Sequence, residues 1–135
     1  MLYHISVFNL LKSSFGLLNI GLVFFIEVLV MFGHPKFGVE VSENNGTLTL
    51  ALHGVIESST ADIFEAEMAA ACSKSKNLVA DFDKVNFISS AGLRVLLSSQ
   101  KKMIAEKGKI TLINLHESVR EVLELTGFTS LLNIA

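Results

Sequence analysis

The chain is short of the residues that staple small domains together. It has one cysteine, Cys72, so it can form neither an internal disulfide nor a cysteine-rich zinc site, and a reducing compartment fits. One proline, nine glycines and no tryptophan exclude collagen-like and proline-rich architectures. Charged residues are 18% of the chain, below the usual quarter. With 11 Lys and Arg against 13 Asp and Glu, the formal net charge of −2 offers no electrostatic reason to bind nucleic acid. Chemical motifs are missing as well. No Gly-rich loop precedes a Lys-Ser/Thr pair, and there is no dinucleotide fingerprint. His4, His34, His53 and His116 are scattered, none with a second ligand at helical spacing, so no metal site is expected. A serine-hydrolase elbow around Ser90 fails because Ile88, not glycine, stands two residues before it. No enzyme signature survives, and no cofactor is expected.

What is present is apolar material: 50% of 135 residues, too much for a disordered chain and enough for one domain. It is unevenly spread. Residues 1–30 carry only Lys12 and Glu27 as formal charges and hold four of the ten phenylalanines. The expected division is an apolar segment over 1–32 and a globular domain over 33–135. Three readings of the segment stay open. One is a membrane anchor, against which Asn19 and Glu27 are costly in lipid. A second is a recorded start upstream of the true one, with Met31 opening the working chain. The third is a helix packed against the domain. A secretory signal fits poorly, since the start lacks a basic region and no small-residue cleavage pattern follows. Membrane contact through residues 1–30 is thus left open, and the domain itself is expected to be cytoplasmic.

Beyond Met31 the pattern is regular. Phe37, Val39 and Val41 alternate with Gly38, Glu40 and Ser42, as in a half-buried strand. Asn45-Gly46 signals a hairpin, with Thr47–His53 as the return strand ended by Gly54. Ser58, Ser59 and Thr60 are cap candidates for a helix to about Ser73, with Ile63, Ala66 and Ala70 on its apolar stripe. Asn77–Asp81 reads as a short strand and 83–86 as a turn. A second helix is expected from Leu93 to about Glu106, with Gln100, Lys101 and Lys102 on its wet side, and Gly108 stops it. Lys109–Leu115 is a strand, Glu117–Leu125 a third helix with Leu125 on its apolar side, and Phe128–Ile134 a closing apolar segment. The order β-β-α-β-α-β-α defines an α/β fold with a hairpin start, a small mixed sheet packed by helices.

The junction Ser89-Ser90-Ala91-Gly92 stands out. Two hydroxyls sit where a strand-turn hands over to a helix, beside that helix's unpaired N–H groups. One reading is an ordinary N-cap. The other is that Gly92 leaves the first turn open to a close partner, and that phosphate on Ser90 would rest against the positive helix end.

These residues carry a resemblance. Phe87-Ile88-Ser89-Ser90-Ala91-Gly92-Leu93-Arg94-Val95-Leu96-Leu97 resembles the signature of STAS domains, specifically the bacterial anti-sigma factor antagonists. Gly54-Val55-Ile56-Glu57, Leu78-Val79-Ala80-Asp81-Phe82 and Leu123-Glu124-Leu125-Thr126-Gly127-Phe128 are similar to the family's other landmarks, in the same order. The resemblance spans about residues 37 to 132. It implies a non-enzymatic partner-switching protein whose unphosphorylated form binds an anti-sigma factor serine kinase and frees a sigma factor. Ser90 takes the phospho-acceptor place, and a PPM-type phosphatase would restore the binding form. ATP would belong to the kinase. Ser89 stands where the family carries aspartate, which removes one carboxylate beside the acceptor, and Ala91 replaces a second serine. Glu57 matches a loop acid near the acceptor. The expected partner-binding patch is Glu57, Ser58, Ser89, Ala91, Gly92 and Arg94. Two other classes stay open: a STAS accessory subunit of a membrane lipid transporter, and a non-phosphorylated scaffold or small-molecule-binding STAS domain.

Overall fold

The structure, a computed structural model, describes residues 37–135. The expectations for the 1–32 segment lie outside these residues. Strand β1 (Phe37–Asn44) turns at Asn45-Gly46 into β2 (Thr47–Ile56). Both turn residues have positive φ, 52° and 82°, the backbone that a two-residue hairpin requires and that Asn and Gly tolerate best. Helix α1 (Ala61–Lys74), β3 (Asn77–Ile88), α2 (Ser90–Ala105), β4 (Lys109–Ile113) and α3 (Glu117–Leu125) follow in turn. A 3-10 turn at Phe128–Ser130 leads to a two-residue strand, β5 (Asn133–Ile134).

The strands form one sheet in the order β1-β2-β3-β4-β5, with β1 antiparallel to β2 and every later pair parallel. Leu48, Leu50 and Leu52 of β2, Leu78, Ala80 and Phe82 of β3, and Ile110 and Leu112 of β4 alternate inward and are buried. They share one core with Phe64 and Met68 of α1, Leu93, Leu96 and Met103 of α2, and Val119 and Leu123 of α3. Phe37 packs edge-on against Phe64, ring centroids 5.6 Å apart, tying the first strand to the first helix.

Several boundaries and faces differ from the sequence expectation, each for a physical reason. The stretch 83–86 is strand rather than turn. Its polar residues sit at two register shifts: Leu52 faces both Phe82 and Asp83, and Val55 faces both Asn86 and Phe87. Two residues opposing one turns the alternation into a period of three, so only Val85 and Ile88 point inward. The same bulges carry β2 past Gly54 to Ile56. In α1 the buried stripe is Ala61, Phe64, Met68, Ala71 and Cys72, while Ala66 and Ala70 face solvent. Gln100, expected on the wet side of α2, is 5% exposed, its Nε2 donating to the Leu131 carbonyl at 3.4 Å. Leu125 is 87% exposed, because it lies about 200° around α3 from the buried Leu123 and so falls on the face opposite the core.

Candidate functional site

In parallel strands joined by helices, the loops at the carboxyl ends gather at one end of the sheet. Two of those loops are Glu57–Thr60, after β2, and Ser89, after β3. They are tied directly: the Ser89 N–H donates to the Ile56 carbonyl at 2.8 Å, extending the pairing of Ile56 with Ile88 by one residue.

The first loop is held from within by a buried hydroxyl. Thr60 is 4% exposed; its Oγ1 donates to the Val55 carbonyl at 2.7 Å and accepts the Glu57 N–H at 2.9 Å. The Glu57 carbonyl accepts from the N–H groups of Thr60 and Ala61, which starts α1. Thr60 therefore occupies the N-cap position but braces the loop instead of capping with its side chain. Glu57, half-buried, receives the Ser59 hydroxyl on Oε1 at 2.9 Å, and Ser58 and Ser59 are exposed.

The second loop is the start of α2. Ser89 is the N-cap, extended at φ −91° and ψ 174°, with Oγ accepting the Gly92 N–H at 3.5 Å, a long contact. Ser90 is the first helical residue and is exposed; Ala91 is half-buried. Arg94, one turn on, is exposed and lines a shallow groove of about 310 Å³ between α1 and α2, opposite Asp62 and Glu65.

Gly92 departs from expectation. It does not leave the first turn open: it is buried, and a Cβ there would lie 2.5 Å from Ile56 Cγ2 and 2.7 Å from Ile88 Cγ1. Its bareness serves an internal contact, letting α2 press onto the paired ends of β2 and β3. Thus Glu57, Ser58, Ser89, Ser90, Ala91 and Arg94 are gathered at one end of the sheet, and Gly92 lies beneath them.

Sequence reading missed three features of this end. Asp62 and Glu65, spaced i and i+3, form the acidic wall of the groove. Thr60 is the loop's brace. Phe87, 49% exposed, is pushed outward by the second bulge three residues before Ser90. The acidic pair carries a helical spacing that sequence could have flagged; the bulge has no such signal.

Among the described residues no group of three or more His, Cys, Asp or Glu could hold a metal, and no helix is long and apolar enough to cross a membrane. Cys72 is buried, and burial raises its thiol pKa, so it is a packing residue rather than a ready nucleophile.

The sheet order, the bulged third strand and the serine at the head of α2 together define this end of the molecule. The STAS domain family matches residues 38–135, and the chain belongs to it, within the anti-sigma factor antagonists. BtrV of Bordetella bronchiseptica, described as an anti-sigma factor antagonist, is 40% identical over 92 residues, 67% of this chain and 79% of BtrV. An anti-sigma factor antagonist from Mycobacterium paratuberculosis has the same fold at a TM-score of 0.67 and 24% identity, over 73% of this chain and 84% of its own. SpoIIAA of Bacillus is similar both unphosphorylated (TM-score 0.62, 19% identity, 73% and 88% covered) and phosphorylated (0.58, 18%, 73% and 91%).

Proposed function

We propose that this chain is an anti-sigma factor antagonist that acts by partner switching in the cytoplasm, with residues 33–135 as the working domain and 1–32 as an apolar segment ahead of it. The observation that carries the reading is the exposed Ser90 at the first position of α2, held against the Glu57–Ser59 loop by the Ser89 N–H···Ile56 carbonyl bond. The likeness to a relative known in phosphorylated and unphosphorylated forms supports it. It acts by binding rather than by catalysis.

In this reading the unmodified surface around Glu57, Ser58, Ser89, Ala91 and Arg94 docks on a serine-kinase anti-sigma factor. The kinase transfers the γ-phosphoryl of its own ATP to Ser90. An Oγ–P bond forms, the bond from the γ-phosphorus to the bridging oxygen breaks, ADP leaves, and the hydroxyl proton passes to a base on the kinase. About 1.5–2 negative charges then appear within a close contact, and an uncompensated charge there costs enough to part the surfaces. A PPM-type phosphatase hydrolyses the ester and restores the binding form. Ser89, lacking the carboxylate found at its place in the family, contributes a helix cap and no help to the transfer.

Incubation with the cognate kinase and ATP, followed by phosphopeptide mapping, should place the phosphate on Ser90 alone, and Ser90→Ala should stay bound to the kinase. Phosphate on Ser89 with Ser90 untouched refutes the assignment.

A further inference from the structure

Ser90 and Arg94 are four residues apart on α2, a spacing that stacks two side chains on one helix face, and both are exposed. Arg94 is the one basic residue in the first two turns of that helix. It lines the groove between α1 and α2, floored by Ala91 and Val95 and walled by Asp62 and Glu65. Among the described residues, none of Arg94, Asp62 and Glu65 belongs to an ion pair within 4.0 Å. Arg94 thus shares a groove with two acids and a helix face with Ser90, and is held by no ion pair among the described residues.

We propose that Arg94 is the internal receptor of the phosphate on Ser90, turning from the α1–α2 groove to the phosphate when Ser90 is modified. This deepens, and rests on, the reading of Ser90 as phospho-acceptor. The helix end alone offers a diffuse partial charge, whereas a guanidinium offers a planar fork that matches two phosphate oxygens. Modification then changes two surfaces at once. The site gains a partly neutralised phosphate, and the groove loses its cation and becomes an acidic wall of Asp62 and Glu65.

The test needs no kinase. Phosphoserine is inserted at position 90 during translation of the full chain, and the phosphate is titrated by phosphorus NMR in the wild type, Arg94→Gln and Arg94→Lys. The wild-type phosphate should have its second pKa about 0.3–0.5 below that of Arg94→Gln, with Arg94→Lys between them. The difference should largely vanish in 1 M salt. The amide signals of Asp62 and Glu65 should shift on phosphorylation in the wild type and stay put in Arg94→Gln. Equal phosphate pKa values in the wild type and Arg94→Gln overturn the proposal, as do groove signals indifferent to Arg94. Because the phosphate is installed directly, either failure leaves the kinase reading standing. A kinase that ignores Ser90 sinks that reading without touching this measurement.

Discussion

Gly92→Ala isolates the contact that seats α2 on the sheet. In an open helix turn the exchange would stabilise by about 1 kcal/mol, because alanine loses less backbone entropy. Here the new methyl would lie 2.5 Å from Ile56 Cγ2 and 2.7 Å from Ile88 Cγ1, in a part of the core where both isoleucines are buried. Those atoms are not the free ends of flexible chains. Ile56 Cγ2 hangs on a β-branched carbon with a stiff χ1, so relief requires an off-rotamer side chain or a backbone shift. Overpacking of this kind costs about 1–3 kcal/mol, and two contacts below 3.0 Å place it in the upper half. After the propensity gain, a net loss of about 1–2 kcal/mol remains, or about 5–10 °C in Tm for a domain of this size. Urea denaturation followed by circular dichroism measures it. Repeating Gly92→Ala in an Ile56→Ala background removes the nearest clash, so the loss should shrink there by about 1 kcal/mol. A neutral or stabilising Gly92→Ala, or an undiminished loss in the Ile56→Ala background, would refute the reasoning. Gly92→Leu, larger still, should fail to fold rather than merely block a partner.

Other perturbations test neighbouring parts of the account. Thr60→Val strips the hydroxyl that serves the Val55 carbonyl and the Glu57 N–H, and should cost about 1–3 kcal/mol in denaturant unfolding, with chemical-shift changes across Glu57–Ser59. Gln100→Leu replaces a buried amide whose Oε1 has no partner among the described residues and whose one bond is long, so stability should hold or rise by up to about 1 kcal/mol; a clear loss would mean that the Leu131 contact matters more than its geometry indicates. Burial, aided by Lys84, lowers the pKa of His53 below its ordinary 6.5. The unfolded chain therefore takes up the proton first, so this contribution is present above about pH 6.5 and is lost as pH falls through the lower folded value. Unfolding curves at pH 7.5 and 5.5 should differ by less in His53→Gln than in the wild type.

The sequence was legible where alternation and turn chemistry act locally. The hairpin at Asn45-Gly46 and the inward leucines of β2 follow from residue type and spacing, and the structure has both, whereas α2, expected from Leu93, opens three residues earlier at Ser90. It was less legible where long-range pairing sets the pattern. The polar run 83–86 looks like a turn because a bulge cannot be read from one strand alone; it exists only against Leu52 and Val55 on the neighbour. Gly92 shows the same limit at the site. A glycine beside two serines suggests an open helix end, and only the placement of Ile56 and Ile88 reveals that the missing side chain faces inward. Likewise the placement of Arg94 across a groove from Asp62 and Glu65 depends on how α1 lies along α2, which no spacing within either helix encodes.

The central claim is that charge on Ser90 governs docking at the joined loops. Isothermal titration of the cognate anti-sigma factor with the unmodified domain, and with the domain carrying phosphoserine at 90, tests it most directly. The account predicts tight binding of the unmodified form and a Kd at least about 100-fold weaker for the phosphorylated one, the scale set by a phosphate charge that is at most partly neutralised in a close contact. Equal affinity of the two forms would contradict it.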